Sequence, residues 1–182
     1  MNNILFYFFF LLLLYQINVV KSKSIYINNN EDNIYDIIKN IGHGNDLKLY
    51  FNKEYYVMPS TGSKDINVSD NIYFIGNSNM TTFDFQNKFT SEMRIIFEDY
   101  KKYVVTFENI IFKNFSSNDS KLLYLLFIDS KYDNFLINFK NCIFEDSDTL
   151  IQSRFTYSKT STDYNVVFNG CTFRYNILKK KK

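Results

Sequence analysis

The chain has 182 residues, enough for one ordinary domain. Its 46% hydrophobic and 22% charged content excludes a disordered chain, which needs few aromatics and high net charge. Its formal charge of +2 excludes a strongly basic nucleic-acid binder.

There are 20 Phe, 15 Tyr and 24 Asn, one Pro, no Trp and no Ala, and Lys outnumbers Arg by 18 to 3. Most of these biases favour A/T-rich codons. A nucleotide bias in the source genome explains them most simply, so the missing Ala says little about fold.

In chain order, the first feature is a leader. Ile4 to Tyr15 form 12 uninterrupted apolar or aromatic positions, and Gln16 and Asn18 break the run before Val19 and Val20. A spanning helix needs about 20 apolar residues, and a shorter run suits a signal-peptide core. Val20-Lys21-Ser22 offers small residues around a cleavage point, although no Lys or Arg precedes the run. Residues 1–22 are read as a signal peptide, leaving a secreted, extracellular chain of 160 residues. The alternative is a membrane anchor through the same apolar segment.

Residues 179–182 form a basic tail of four Lys. Without that tail and Lys21, the chain holds 16 basic against 19 acidic residues, so the body is slightly acidic. A Lys-Lys-x-x ending can act as a retrieval signal on a membrane protein. With no second apolar span before it, a solvated tail or the end of a truncated gene is the preferred reading.

Residues 23–46 are assigned to an N-terminal strand and a capping helix. Asn30 is placed at the helix cap, and Glu31 and Asp32 sit in the first turn, where the helix dipole favours acids. Ile34, Ile37, Ile38 and Ile41 recur at helical spacing, and Gly42 and Gly44 stop the helix. This stripe can cover the open end of a stacked β structure. His43 could serve as a general base, but an exposed loop histidine is the preferred reading. Asp46 follows, and Leu47 and Leu49 then alternate with Lys48 and Tyr50 as in a strand.

Residues 47–178 repeat. Asn71-Ile72-Tyr73-Phe74, Asn109-Ile110-Ile111-Phe112, Asn141-Cys142-Ile143-Phe144 and Gly170-Cys171-Thr172-Phe173 share a register, preceded by Val68, Phe107, Phe139 and Phe168. Asn and Gly enter left-handed backbone conformation most cheaply and so make sharp corners between strands. Alternation places Ile72, Ile110, Cys142 and Cys171 on one face with Phe74, Phe112, Phe144 and Phe173. A repeat of about 30 residues built from short strands reads as a β solenoid, with coils stacked about 4.8 Å apart and the four Phe forming a core ladder.

The amphipathic helix, then "DLKLYF", "YYVM" and "DNIYFIGNSN", and later "VTFENIIFKN", "INFKNCIFED" and "VVFNGCTFRY" resemble the right-handed parallel β-helix proteins of the pectin-lyase-like type. The likeness covers about residues 24–176. It implies an all-β, right-handed parallel β-helix of about four to five coils with a short N-terminal capping helix. Only this resemblance suggests cell-wall polysaccharide as a partner. Its enzymes carry clustered acids, or acids with Arg or Lys, on outward positions of neighbouring coils.

In this chain the outward ladders are Glu108–Lys140–Asn169 and Lys113–Glu145–Arg174, which alternate in sign and suit structural work better than a catalytic Glu145. Asp146 and Asp148 are the one close acidic pair near a corner. Their register partners bring no further carboxylates, so the pair suggests at most a weak Ca²⁺ site.

Gly42-His43-Gly44 begins a dinucleotide fingerprint, but Leu47 stands where its third Gly is needed. P-loop, His-Glu-x-x-His and Gly-x-Ser-x-Gly motifs are absent. Two Cys and one His cannot make an ordinary structural zinc site. No catalytic residue, cofactor, metal or nucleic-acid partner is therefore assigned.

Cys142 and Cys171 stack in adjacent coils within disulfide range, and a bonded pair and a free-thiol stack both stay open. Asn67, Asn79, Asn114 and Asn118 start Asn-x-Ser/Thr sequons open to glycosylation in a secreted chain. With 24 Asn and 25 Ser plus Thr, chance alone gives about three.

Leu122 to Ile128 is apolar on both faces. Either the long 76–103 connection covers it or it meets a partner. Tyr73, Ile111, Ile143 and Thr172 form an outward β-forming stripe that would suit a polysaccharide or another coil. Self-association through a solenoid end or apolar face is a further option. The leading reading is a non-catalytic extracellular structural or binding module. The alternatives are a carbohydrate-active enzyme (lyase or hydrolase) and an inactive fragment of a larger β-helix protein.

Overall fold

The computed structural model describes residues 22–29, 32–41, 44–62, 64–117, 124–155 and 165–175. Strand β1 (Ser22–Ile27) and helix α1 (Ile34–Lys39) precede four three-stranded coils. The first coil is β2 (Asp46–Phe51), β3 (Tyr55–Val57) and β4 (Asp65–Val68). The second is β5 (Ile72–Ile75), β6 (Thr81–Asp84) and β7 (Met93–Phe97). The third is β8 (Val104–Glu108), β9 (Ile110–Lys113) and β10 (Leu126–Ser130). The fourth is β11 (Leu136–Lys140), β12 (Ile143–Glu145) and β13 (Ile151–Arg154), and β14 (Val166–Asn169) and β15 (Thr172–Arg174) add two sides of another.

Every strand pairing is parallel and lies one coil away. Three sheets result. The first runs β1-β2-β5-β8-β11-β14, the second β3-β6-β9-β12-β15 and the third β4-β7-β10-β13. The molecule is therefore a β-solenoid of about four turns, with a short N-terminal helix. Parallel strands need a crossover between them, and here each crossover consists of the other two sides of the coil.

The corners are where the sequence speaks most directly. Asn109 (φ 57°), Asn141 (φ 51°) and Gly170 (φ 65°) each turn the chain from the first sheet into the second within one residue. Their stack continues the ladder, because Asn109 N–H donates to the Lys140 carbonyl at 3.0 Å and Asn141 N–H to the Asn169 carbonyl at 2.8 Å. Asn114, Asp146 and Tyr175 hold the same left-handed conformation just past β9, β12 and β15.

In the second coil the corner belongs to Gly76, not to Asn71. The Gly76 N–H donates to the Glu108 carbonyl at 2.8 Å. A Cβ on Gly76 would lie 2.1 Å from the Asn109 carbonyl oxygen, so no larger residue fits there.

This corrects the expected register of the first repeat. Asn71 turns the chain from the third sheet into the first. Its side-chain carbonyl accepts from Val104 N–H at 2.8 Å, and its amide donates to Asp46 at 3.1 Å. Phe74 therefore stacks on Phe107, and Val68 pairs with Phe97.

The rung expected of Phe74 is filled by Phe83, which pairs with Phe112, and the rung expected of Ile72 by the buried Thr81, which pairs with Ile110. The Asn-Ile-x-Phe pattern repeats at two different corners of the triangle, and local sequence does not distinguish them. The segment expected to be a long connection, 76–103, instead contains β6 and β7.

Two aromatic columns fill the interior. In the first sheet Phe74, Phe107, Phe139 and Phe168 stack with ring centroids 4.6, 5.2 and 5.0 Å apart. In the second, Phe112, Phe144 and Phe173 stack at 4.9 and 5.0 Å, with planes 7° apart. The columns meet edge to face, as at Phe107–Phe112 (5.4 Å, 75°), an arrangement that the ring quadrupoles favour. Phe168 and Phe173, at the end of the columns, are 41% and 49% exposed.

Helix α1 packs against β4, the edge strand of the third sheet, and buries Ile34, Tyr35 and Ile38, while Ile37 and Ile41 are half-buried. Its cap is Asn33, whose side-chain oxygen accepts from Tyr35 N–H at 3.1 Å. Asp32 lies before the helix and accepts from Asn29 N–H. The expected cap was three residues early, because consecutive asparagines offer several equivalent starts.

The leader (1–21), Asn30, Glu31, Gly42, His43, Asn118, Leu122, Leu123 and the basic tail lie outside the described residues. Among the described residues, no helix is long and apolar enough to cross a membrane.

Candidate functional site

The outer face of the second sheet carries a charged row. Asp84, Lys113, Glu145 and Arg174 are in register on successive strands and alternate in sign. Lys113 Nζ lies 3.1 Å from one Glu145 oxygen, and Arg174 Nε lies 2.5 Å from the other. Lys113 also reaches Asp146 at 3.7 Å.

Burial raises the Glu145 pKa, but the hydrogen bonds and charges of Lys113 and Arg174 outweigh it and hold the carboxyl below the usual range. Such a carboxylate does not retain a proton to donate. Asp84, which the sequence reading missed, accepts from Asn114 Nδ2 at 3.0 Å, from Gln86 N–H at 2.7 Å and from the Tyr55 hydroxyl. That hydroxyl bond, then burial and the Asp84 charge, raise the Tyr55 pKa.

Asp148 accepts from Ser117 N–H at 2.8 Å and so braces the loop that follows Phe115. Among the described residues, no group of three or more His, Cys, Asp or Glu is placed to hold a metal ion.

Beside the charged row runs the β-forming stripe. It consists of Tyr55, Thr82, Ile111, Ile143 and Thr172, with Tyr73 lying instead on the first sheet. Ile111 and Ile143 are half-buried.

The outer face of the first sheet is different in kind. One row reads Ser24–Lys48–Tyr73–Thr106–Asn138–Val167 and the other Tyr26–Tyr50–Ile75–Glu108–Lys140–Asn169. The second row contains the expected Glu108–Lys140–Asn169 ladder. The Tyr26 and Tyr50 rings stack at 5.2 Å and 21°, and the Lys48 ammonium sits 5.9 Å from the Tyr73 ring centre. Tyr26 is 61% exposed.

Three tyrosines on a pleated, parallel surface thus form an aromatic platform with Lys48 over Tyr73, Glu108 one coil beyond Tyr73, and Asn138 and Lys140 two coils beyond it. Alternation within "SIYI" and "KLYF" was the signal for the outward Tyr26 and Tyr50. Both precede the first repeated segment, so the repeat itself does not mark them.

The third sheet turns Phe127 outward between the Arg94 and Arg154 guanidiniums, at 5.4 and 5.6 Å, and buries Leu125, Leu126 and Ile128. Arg94, itself part of the 76–103 segment expected to cover this run, and Arg154 from the next coil lie over Phe127. Arg94 also pairs with Asp65 at 3.5 Å and Glu92 at 3.9 Å. Burial lifts the Glu92 pKa against the lowering pull of Arg94, the Tyr124 N–H and Lys64. Between α1 and the first coil lies a cleft of about 320 Å³, with Ile38, Ile41 and Ile72 beside Asp65, Asn67 and Asp70.

Cys142 and Cys171 occupy adjacent rungs of the Thr81–Ile110 row, and both are free thiols. Asn67 and Asn79 are exposed, whereas Asn114 is half-buried with its amide engaged by Asp84. No family model, curated protein or solved structure matches the chain.

Proposed function

We propose that the chain is a secreted, non-catalytic β-solenoid that binds extended polysaccharide on the outer face of its first sheet. The observation that carries this reading is the Tyr26–Tyr50 stack beside Tyr73 and Lys48. Aromatic faces take up the C–H faces of sugar rings, and their flat shape costs little side-chain entropy. Farther along the same face, Glu108 one coil beyond Tyr73 and Asn138 and Lys140 two coils beyond it offer partners for the hydroxyl groups of an extended chain. The pectin-lyase-like likeness of the coil repeats points to the same class of ligand, cell-wall glycan.

The test is a glycan array probed with the secreted protein, with and without Tyr50→Ala. Binding to extended polysaccharides that Tyr50→Ala abolishes, at unchanged circular dichroism, supports the reading. Binding to no glycan overturns it.

A second reading, a carbohydrate-active enzyme, draws on Glu92, whose carboxyl burial holds toward the protonated form beside Asp65 and Arg94. It expects reducing or unsaturated sugar ends from pectin-type polymers and their loss in Glu92→Gln. No release from any polymer sinks it.

A further inference from the structure

We propose that Cys142 and Cys171 close a disulfide that pins the last described coil to the one before it. The two residues are distant in sequence and are brought to neighbouring rungs by register, next to the Phe144–Phe173 pair, with Thr172 N–H donating to the Cys142 carbonyl at 2.9 Å. Neighbouring parallel rungs place Cα atoms about 4.8 Å apart, inside the range a disulfide accepts.

The sulfurs are neighbours in the stack, and joining them requires one thiol to rotate away from its carbonyl. The Cys171 thiol is a hydrogen-bond neighbour of Cys142, and each thiol reaches a carbonyl of the coil before its own, Phe107 O and Phe139 O, both at 3.4 Å. The coil they would secure needs support. Phe168 and Phe173 are 41% and 49% exposed, whereas Phe139 and Phe144 on the equivalent rungs one coil earlier are buried.

The two thiols are unequal, and this orders the reaction. Cys171 is half-buried and can be reached from solvent, whereas Cys142 is fully buried. Burial, together with its neighbour Cys171, pushes the Cys142 thiol up to about 12, against its hydrogen bonds to backbone.

Cys171, as thiolate, attacks one sulfur of a small-molecule disulfide such as oxidised glutathione and expels the first reduced thiol. Cys142 then gives up its proton and attacks the Cys171 sulfur of the mixed disulfide, expelling the second. Two protein thiols are oxidised to one disulfide, and the reagent disulfide is reduced to two thiols that take up the two protons. The chemistry does not depend on whether the tyrosine face binds sugars.

The test is incubation of the folded chain with oxidised glutathione, followed by intact mass, peptide mapping and thermal melting. The expected result is loss of two hydrogens, a linked Cys142–Cys171 peptide pair, and a melting temperature about 6–12 °C above that in dithiothreitol. Cys171→Ser abolishes the shift. If that variant fails to fold, the wild-type peptide map decides alone. Two alkylatable thiols after prolonged oxidation, a persistent glutathione adduct on Cys171, or disulfide-linked dimers would each overturn the proposal.

Discussion

Single atoms decide the corners. Gly76 donates its N–H to Glu108, and the Asn109 carbonyl occupies the space a side chain would need. Gly76→Ala is expected to cost about 3 kcal/mol, because the clash is with backbone and moving it breaks a coil-to-coil bond. Chemical denaturation would show this, and a loss under 1 kcal/mol would contradict the geometry.

Glu145 makes a pH prediction. Its folded pKa is lowered, so its contribution to stability is present above the unfolded carboxylate value near 4.3 and is lost as pH falls through the folded value. Glu145→Gln should therefore cost about 1 kcal/mol at pH 7, with the difference from wild type shrinking as pH falls below the unfolded carboxylate value and through the lowered folded one. Melts of both proteins across that range measure it, and a difference that grows on acidification would be the wrong sign.

Elements hold together as columns more than as individual strands. Phe112 is wholly buried, stacked on Phe144 and meeting Phe83, Phe107 and Phe139 edge to face, whereas Phe173 has one open side. Phe112→Ala should cost about 3–5 kcal/mol and Phe173→Ala about 1–2, since the second leaves no enclosed cavity. Equal losses in a denaturation series would mean that the end rung is covered. Helix α1 contributes differently, since its six residues are too few to be stable alone. Its place comes from the burial of Ile34, Tyr35 and Ile38 over the edge of β4, which would otherwise present unpaired backbone groups.

The whole molecule is a quasi-one-dimensional stack in which each coil touches only its neighbours, so stability is local. Amides of β8, β9 and β11, paired on both sides, should exchange slowest, and those of the exposed edge strands β13, β14 and β15 faster. Native-state hydrogen exchange tests this ordering, and uniform protection from β2 to β15 would refute it.

The charge pattern also belongs to this scale. Asp84–Lys113–Glu145–Arg174 is an alternating seam along the solenoid axis, legible in part because Lys113, Glu145 and Arg174 hold the same offset from a repeated Phe. Asp84 escaped because its coil turns at Gly76 and then takes four more residues before β6, which shifts every later position out of the apparent period.

That the chain is a solenoid was legible in its residues, because left-handed corners and alternating Phe positions are local requirements that recur visibly at Asn109, Asn141 and Gly170. So were the neighbours of Phe112, Phe144 and Phe173 wherever the repeat length was regular. The stacking of the coils settles which corner of the triangle Asn71 makes, that Phe74 belongs to the other column, and that Phe83 fills the vacant rung. It alone brought Tyr26, Tyr50, Tyr73 and Lys48 onto one surface. Local conformational preference is written residue by residue, whereas register between coils depends on how much chain each loop consumes, and that is set when the coils close on one another.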